Sequence, residues 1–371
     1  MKKAIISIIT AFILLGYSEC AFASASVSAK SSIVIDAQSG RVLYEKNAYE
    51  RRGMASTTKI MTALVALERL DLSSVVTVSP HAAGTEGSSI WLSPLEKISV
   101  YDLLYGLMLA SGNDAASALA EHTAGSEDAF AIIMNARAKK IGAYNTNFTN
   151  PHGLPDENHY TTAYDLAIIS AEAMRNPDFA EIVSQKQKTI SWEGSRWDRS
   201  LRNHNKLLNR YQYAIGIKTG YTKKDGRCLV SCAEKDGRRL ICVTLNAPDD
   251  WNDHIALHEY CFEKFVAYKA CSGGESAGIF KNINENADDI NLVYEKDFTT
   301  SLTNDEAENI KIEKVFNVKY PVTKNQIVGR ADILCKNEKI GSINLIAAND
   351  AVIKKEFISV LIKLAKGILR L

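Results

Sequence analysis

The spacing of apolar positions divides the chain into a mixed part of helices and strands and a later part of short strands. In several long stretches apolar residues recur every three or four positions, which predicts helices. These stretches are residues 57–70, 101–109, 114–122, 129–141, 164–174 and 253–268. Short apolar runs bounded by turn residues predict strands at 32–35, 41–44, 215–222, 228–233 and 239–246. Residues 192–208 are polar and show no regular pattern. The first part is therefore predicted to be an α+β domain with an antiparallel sheet.

The composition changes at residues 271–276, which are rich in glycine and serine and predict a linker. Beyond them, short alternating runs predict a small β-sandwich domain over residues 272–350. Residues 351–371 return to a helical period, with apolar residues on one face and lysines over much of the rest. This pattern favours an amphipathic helix lying on a membrane surface, and a helix docked on the protein is the alternative.

The first residues resemble an export signal. Lys2-Lys3 is followed by an apolar run over residues 4–15 and by the small-x-small sequence Ala21-Phe22-Ala23. Residues 1–23 are thus predicted to be a signal peptide, and residues 24–271 the α+β domain. A lipoprotein signal at Cys20 is a weaker alternative. The net charge of +1 does not indicate a nucleic-acid partner.

Seven cysteines in an exported chain raise the question of disulfides. A two-residue turn at Asp236-Gly237 would place Cys232 opposite Ile241 and turn Cys242 to the other face of the sheet. The six cysteines outside the signal are therefore expected to be buried free thiols. No Cys-x-x-Cys motif or histidine pair is found with ligand spacing, so neither a structural metal nor a cofactor is expected.

Ser56 and Lys59 lie three residues apart at the start of the predicted helix 57–70. On a helix, this spacing brings the lysine amine close to the serine hydroxyl. A lysine can take the proton of a serine only if its amine is neutral, which burial and the positive end of the helix dipole favour. The first helical turn also offers free N–H groups to an oxyanion. The alternative is an N-cap serine followed by a solvated lysine.

Two further stretches carry polar residues at strand or helix ends. Ser111 and Asn113 lie in a loop between two predicted helices and are expected to point at one ligand, although an ordinary connecting turn has the same sequence pattern. Lys218 and Gly220 lie on a predicted strand, where an extended ligand could lie along the strand edge with its carboxylate at the ammonium group. A protective lysine on an edge strand is the alternative there. The loop histidines His152 and His159 are expected to be structural.

The motifs Ser56-x-x-Lys59, Ser111-x-Asn113 and Lys218-Thr219-Gly220, in that order, resemble those of the penicillin-binding protein and serine β-lactamase superfamily. The resemblance covers residues 28–268. With the tail domain and basic terminal segment, the chain is similar to the low-molecular-weight D-alanyl-D-alanine carboxypeptidases. It implies a β-lactamase/transpeptidase-like domain, a serine peptidase activity, inhibition by β-lactams, and a location at the outer face of the cytoplasmic membrane in the cell-wall space.

The resemblance also implies roles for individual residues. Ser56 would attack the carbonyl between two D-alanines of a peptidoglycan stem peptide, with Lys59 taking its proton and Ser111 passing a proton to the leaving amine. Asn113 would hold the substrate amide.

Lys218 and Thr219 would bind the terminal carboxylate, next to the small Gly220. The backbone N–H groups of Ser56 and Tyr221 would form the oxyanion hole.

Two departures separate the chain from class A β-lactamases. A Glu-x-x-Leu-Asn loop is not found between residues 143 and 173, and the middle motif reads Ser-Gly-Asn instead of Ser-Asp-Asn. Slow deacylation of penicillin is therefore expected. The alternatives are a D,D-endopeptidase acting on cross-links and, less favoured, a class A β-lactamase or a non-catalytic wall-binding protein.

Overall fold

The computed structural model describes residues 26–282, 286–354 and residue 365. The first part of the chain is built on a five-stranded sheet with helices on both faces. The strands of this first part, five of which form the main sheet, are β1 (Ser31–Asp36), β2 (Val42–Lys46), β3 (Val75–Thr77), β4 (Lys97–Ser99), β5 (Gln187–Ile190), β6 (Arg199–Arg202), β7 (Ala214–Thr222), β8 (Gly226–Lys235) and β9 (Arg238–Leu245). Its helices are α1 (Lys59–Arg69), α2 (Pro80–Ala83), α3 (Val100–Met108), α4 (Asn113–Ala124), α5 (Glu127–Ile141), α6 (Ala163–Ala173), α7 (Pro177–Ser184), α8 (Leu207–Arg210) and α9 (Asp250–Lys264).

The main sheet is antiparallel, with strand order β2-β1-β9-β8-β7, so β7 is an edge strand. Helix α6 packs on one face against β1 and β9, and α9 packs on the other face against β8 and β9. The two faces form separate apolar clusters, one holding Cys232 and Ile241 and the other holding Leu240 and Cys242. Successive side chains of β8 and β9 point to opposite faces of the sheet, so these two strands contribute to both apolar clusters.

Helix α1 is the central helix of the helical part. Its residues from Lys59 to Ala66 are all buried, and it contacts α3, α4, α5 and α6. A helix enclosed on all sides has to be apolar around most of its circumference, as this sequence is. A lysine at the first position of such a helix is an exception, and that position is part of the candidate site.

The second part is β-rich. It contains β10 (Val266–Cys271), β11 (Ser276–Phe280), β12 (Ile290–Tyr294), β13 (Phe298–Leu302), α10 (Asn304–Ala307), β14 (Ile310–Phe316), β15 (Ile327–Cys335) and β16 (Glu338–Ala347). Five strands form an antiparallel sheet in the order β11-β12-β16-β15-β14, while β10 pairs with β13. The two parts are joined by an ion pair between Arg41 and Glu306 and by a hydrogen bond of 2.6 Å from Ser301 Oγ to Asp36.

The predicted hairpin is confirmed. The Asp236-Gly237 turn has positive φ at both residues, and Cys232 pairs with Ile241 as expected. Cys242 lies on the opposite face of the sheet, in the other apolar cluster. The six cysteines of the described chain are buried and free.

Two other predictions need correction, and one helix was not predicted. The helix expected at 253–268 spans Asp250–Lys264 instead, because Phe265 is extended and the following residues form β10. The stretch 192–208, expected to be irregular, contains β6 and the first two residues of α8, and β6 pairs with β5. Helix α7 was not predicted, although Asn176 accepts hydrogen bonds from its first turn and Pro177 occupies its first position.

The two chain ends fall largely outside the described residues. The expected signal peptide over residues 1–23 lies there, as does most of the expected terminal helix over 351–371. The described start of that segment is extended, since Ala351 pairs with Val322 and Ile353 pairs with Ala287. Among the described residues, no helix has the length and apolar character needed to cross a membrane.

Candidate active site

Ser56 lies in a single 3-10 turn, Ala55–Thr58, that leads directly into α1. Ala55 has a left-handed φ of 46°, and the Asp225 carboxylate accepts its N–H at 3.2 Å. The hydroxyls of Thr57 and Thr58 donate to main-chain carbonyls at the start of the turn, at 2.6 and 2.8 Å. These contacts fix the turn and leave Ser56 partly exposed between buried neighbours.

The Lys59 amine is completely buried and has three oxygen neighbours. Its Nζ lies 3.2 Å from Ser56 Oγ, 2.6 Å from Asn113 Oδ1 and 2.6 Å from the main-chain carbonyl of His152. The expected proximity of Lys59 and Ser56 is therefore present.

The loop between α3 and α4 carries Ser111 and Asn113. Ser111 adopts a left-handed φ of 61°, and the N–H of Asn113 donates to the Ser88 carbonyl at 2.6 Å. Lys218 Nζ donates to Ser111 Oγ at 3.0 Å, whereas Asn113 Oδ1 accepts from Lys59. The two side chains, expected to point at one ligand, thus contact two different lysines.

Strand β7 closes the site from its free edge. Lys218 is buried and also donates to the Thr219 carbonyl at 2.9 Å, while the Tyr221 side chain is exposed. A Cβ on Gly220 would lie 2.9 Å from the backbone N of Ser56 and 3.1 Å from Ala55 Cβ. Glycine is therefore required for β7 to approach the Ser56 turn this closely.

Burial controls the charge of both lysines. It holds the pKa of Lys59 well below its ordinary value, and the nearby charge of Lys218 lowers it further. Burial also lowers the pKa of Lys218 to about 7. The second positive charge beside Lys59 has the effect expected from the sequence.

Five of the eight candidate residues line a cavity of about 380 Å³, whereas the buried Lys59, Asn113 and Lys218 are not part of its wall. Ser56, Ser111, Thr219, Gly220 and Tyr221 contribute to its wall, together with Ser88, His204, Lys206, Arg227, Asp250 and Trp251. A larger cavity of about 800 Å³ lies where the two parts of the chain meet and contains none of these residues. We assign the candidate active site to the smaller cavity because its side chains carry the relevant chemistry, although the other cavity is larger.

Sequence reasoning missed Asp114, which follows Asn113 directly. Its buried carboxylate accepts hydrogen bonds from Ser89 Oγ at 2.6 Å and from the N–H groups of Ile90 and Leu92 at 3.0 and 3.1 Å. It thereby ties the 88–92 loop to the start of α4 and holds Asn113 in place. An acidic residue in the first turn of a helix was the available signal.

His152 and His159 have structural surroundings, as expected. His159 is buried, with Nε2 2.8 Å from Thr58 Oγ1, and burial lowers its pKa to about 4. His152 contributes to the site through its main-chain carbonyl, and its ring Nε2 lies 3.4 Å from Glu127. A main-chain contribution of this kind leaves no side-chain pattern in the sequence.

The expectation that no histidine pair has ligand spacing is wrong for a second polar cluster. His254 and His258 lie four residues apart on α9, a spacing that places both rings on one helix face, and the structure brings them close to Cys242 on β9. The spacing was a visible signal for a possible ligand pair.

Comparison with known proteins gives consistent results over both parts of the chain. A family model described as D-alanyl-D-alanine carboxypeptidase matches residues 18–249, and one described as penicillin-binding protein 5, C-terminal domain, matches residues 265–352. D-alanyl-D-alanine carboxypeptidase DacF of Bacillus subtilis is 32% identical over 384 residues, covering 97% of each chain. D-alanyl-D-alanine carboxypeptidase DacB2 of Mycobacterium tuberculosis is 36% identical over 63% of this chain and 82% of its own. Penicillin binding protein 5 from Haemophilus influenzae superposes with a TM-score of 0.74 at 29% identity, over 88% of this chain and 98% of that one.

Proposed function

The chain belongs to the D-alanyl-D-alanine carboxypeptidase family, and from that membership we propose that it removes the terminal D-alanine from peptidoglycan stem peptides through an acyl-enzyme on Ser56. It is a low-molecular-weight penicillin-binding protein and a serine hydrolase. The observation that carries the assignment of Ser56 is the buried Lys59 amine beside its hydroxyl, at 3.2 Å. The D,D-endopeptidase, β-lactamase and non-catalytic alternatives are not favoured by the relatives, which are named carboxypeptidases.

The contacts of Lys59 suit a neutral base. A neutral amine has two N–H groups and one lone pair, and two carbonyl oxygens at 2.6 Å, from Asn113 and His152, can accept both N–H groups. The lone pair then remains for the Ser56 O–H. Lys59 takes this proton as Ser56 Oγ attacks the peptide carbonyl carbon, and the tetrahedral oxyanion is held by the backbone N–H groups of Ser56 and Tyr221.

Collapse of this intermediate breaks the peptide bond, and the departing D-alanine amine needs a proton. Ser111 Oγ lines the same cavity as Ser56 and is hydrogen-bonded to Lys218 Nζ at 3.0 Å. Ser111 donates its proton to the amine, and the proton that Lys59 took from Ser56 replaces it, so Lys59 is neutral again for hydrolysis of the acyl-enzyme. Asn113 positions the α3–α4 loop and the substrate amide.

The terminal carboxylate of the substrate binds at Lys218 and Thr219. Lys218 donates to Ser111 and to the Thr219 carbonyl, so a charged ammonium retains a third N–H for the carboxylate. The partly exposed Thr219 side chain lies at the cavity wall beside it. A substrate lying along the free edge of β7 then has its scissile carbonyl at Ser56.

Hydrolysis of the acyl-enzyme releases the shortened peptide. The chain has no Glu-x-x-Leu-Asn loop of the class A β-lactamases between residues 143 and 173, so the acyl-enzyme formed with a β-lactam should be long-lived. β-Lactams are therefore inhibitors of this enzyme.

The decisive experiment combines product release with identification of the acylated residue. A pentapeptide ending in D-Ala-D-Ala should yield one D-alanine per peptide with the wild-type chain and none with Ser56→Ala, while the exposed-serine control Ser195→Ala should match the wild type. Mass spectrometry of the penicillin adduct should place the label on the peptide containing Ser56. Release of D-alanine by Ser56→Ala, or a label on another residue, would refute the assignment.

We further infer the organisation and location of the chain. The chain is exported to the cell-wall space by residues 1–23, residues 24–265 are catalytic, and residues 266–350 form the β-rich domain, whereas the sequence alone placed this boundary at residue 271. The pairing of β10 with β13 supports a boundary nearer residue 265. The basic apolar pattern over 351–371 supports peripheral membrane attachment. Deletion of residues 355–371 should release the enzyme from membrane fractions, and an unchanged distribution would contradict this.

A further inference from the structure

The face of the main sheet opposite α6 carries a buried group of nitrogen and sulfur donors under α9. His254 and His258 project from that helix, and Ser231, Cys242 and Thr244 project from β8 and β9 beneath it. All five side chains are at most 1% exposed. A buried polar group is stable only when its donors and acceptors are satisfied, so the partners of this cluster are informative.

The hydrogen bonds within the cluster are short but incomplete. Ser231 Oγ lies 2.6 Å from His254 Nδ1 and 2.7 Å from His258 Nε2, and Thr244 Oγ1 lies 2.9 Å from His254 Nε2. In the described part of the chain, His258 Nδ1 is buried without a hydrogen-bond partner. A ring nitrogen of each histidine and the Cys242 Sγ lie within 4.8 Å of one another.

This set of donors fits one class of ligand. A thiolate and neutral imidazoles are the ligands of Zn²⁺, with Zn–S of about 2.3 Å and Zn–N of about 2.0–2.1 Å, which puts neighbouring donor atoms roughly 3.3–3.7 Å apart in a tetrahedral site. The ligand atoms of Cys242, His254 and His258 lie within 4.8 Å of one another, so side-chain movements of about 1 Å would bring them to that spacing. Hard cations such as Mg²⁺ prefer oxygen donors and do not fit here.

We propose that Cys242, His254 and His258 form a structural zinc site that fastens α9 to the main sheet, with Ser231 Oγ as the fourth donor. Ser231 Oγ lies 2.6 and 2.7 Å from the two ring nitrogens, closer than two ligands of one zinc ion, so it has to move outwards by about half an ångström when the ion enters. In the proposed site His254 binds the ion through Nδ1 and donates its Nε2–H to Thr244 Oγ1, 2.9 Å away, which thereby acts as an outer-shell partner of a zinc ligand.

Zinc binding displaces the thiol proton of Cys242 to solvent, because the thiolate is the ligand. The thiolate neutralises one of the two positive charges of the ion inside the site, which lowers the penalty of burying it.

Full burial means that the metal has to enter during folding, so the test supplies it during expression. The full chain is produced in medium supplemented with Zn²⁺ and purified without chelators, and bound metal is quantified by mass spectrometry. One zinc per chain is expected for the wild type, and close to none for Cys242→Ser and His258→Gln. Cys232→Ser, which replaces a buried cysteine on the other face of the same sheet, should keep its zinc.

Expression with Co²⁺ provides a spectroscopic signature. A thiolate-to-cobalt charge-transfer band is expected in the wild type and in Cys232→Ser, and its absence is expected in Cys242→Ser. Covalent labelling of Ser56 by penicillin, at a separate site, reports in every sample whether the chain is folded. A wild-type chain that labels with penicillin but contains no zinc, or equal zinc in Cys242→Ser, would overturn the proposal without affecting the proposed function.

Discussion

Replacement of Gly220 by alanine tests whether the approach of β7 to the Ser56 turn sets the reactivity of the site. The added Cβ would lie 2.9 Å from the Ser56 backbone N and 3.1 Å from the Met54 carbonyl oxygen. Ordinary contacts begin near 3.4 Å, so β7 and the turn have to separate by about half an ångström. Both contacts are to backbone, which cannot rotate away as the end of a side chain can.

The kinetic consequence follows from the position of these atoms. The displaced N–H of Ser56 is an oxyanion donor in the proposed mechanism, and a misplacement of 1 Å in an active site can reduce the rate on the order of 100-fold. A displacement of about half that distance should slow acylation roughly 10-fold to 100-fold, which corresponds to about 1.4–2.7 kcal/mol. The strain should also lower the free energy of unfolding by about 1–3 kcal/mol.

The assay is the second-order rate of labelling by a fluorescent penicillin, followed by stopped flow, with urea unfolding of the same samples. Gly84→Ala is the matched control, since its added Cβ would meet a backbone carbonyl at 3.3 Å outside the described cavity. That control should acylate at the wild-type rate. Wild-type acylation by Gly220→Ala would show that the close approach of β7 is not needed for reactivity.

Three further predictions concern charge and hydrogen bonding. Burial lowers the pKa of Lys218 to about 7 from an ordinary 10.5, so the unfolded chain binds more protons between these values. Wild-type unfolding free energy should therefore rise relative to Lys218→Met as the pH increases from 7 to about 10. Glu96→Gln breaks the buried ion pair with Arg199, in which one guanidinium N–H donates to Glu96 Oε2 at 2.7 Å. This change should lower the free energy of unfolding, measured in urea, by about 3–5 kcal/mol. Asp114→Ala leaves two buried N–H groups of the 88–92 loop unpaired, each costing about 1–3 kcal/mol, and should slow penicillin labelling.

Each of these predictions has a control of the same chemical type. The exposed Lys223→Met should show no pH-dependent difference from the wild type. Glu234→Gln breaks the exposed pair with Arg239 and should change stability by less than about 1 kcal/mol. The burial argument would be contradicted if the difference in unfolding free energy between the wild type and Lys218→Met did not change with pH. Equal losses of unfolding free energy in Glu96→Gln and Glu234→Gln would also contradict it. Full labelling rates in Asp114→Ala would show that the loop does not depend on that carboxylate.

The part of the site that could be predicted from the sequence is the part set by local geometry. Ser56 and Lys59 lie one turn apart whenever the segment is helical, and the apolar positions of α1 indicated both the helix and its burial. The Asp236-Gly237 turn likewise fixed the register of β8 and β9. In both cases the determining residues are neighbours in the chain.

The acceptors that complete the environment of Lys59 could not be predicted in this way. The Asn113 amide and the His152 carbonyl are 54 and 93 residues away from Lys59. A main-chain carbonyl exists at every position, so nothing in the sequence distinguishes that of His152. The end of α9 was misjudged for a related reason, since pairing with the distant β13 makes Val266–Cys271 a strand.

The number of N–H groups that remain free separates the roles of two equally buried lysines. Lys59 donates two N–H groups to carbonyl oxygens at 2.6 Å, so a third N–H could only be directed at the Ser56 hydroxyl. Loss of this third proton leaves a lone pair facing Ser56, which makes Lys59 the base for its hydroxyl. Lys218 donates to one hydroxyl and one carbonyl, at 3.0 and 2.9 Å, and its third N–H is left for an anion. The charge of Lys218 lowers the pKa of Lys59, so the residue that binds the carboxylate also helps to keep the base neutral. Binding of the substrate carboxylate partly cancels that charge, and it therefore makes Lys59 more basic at the moment when the Ser56 proton has to be removed.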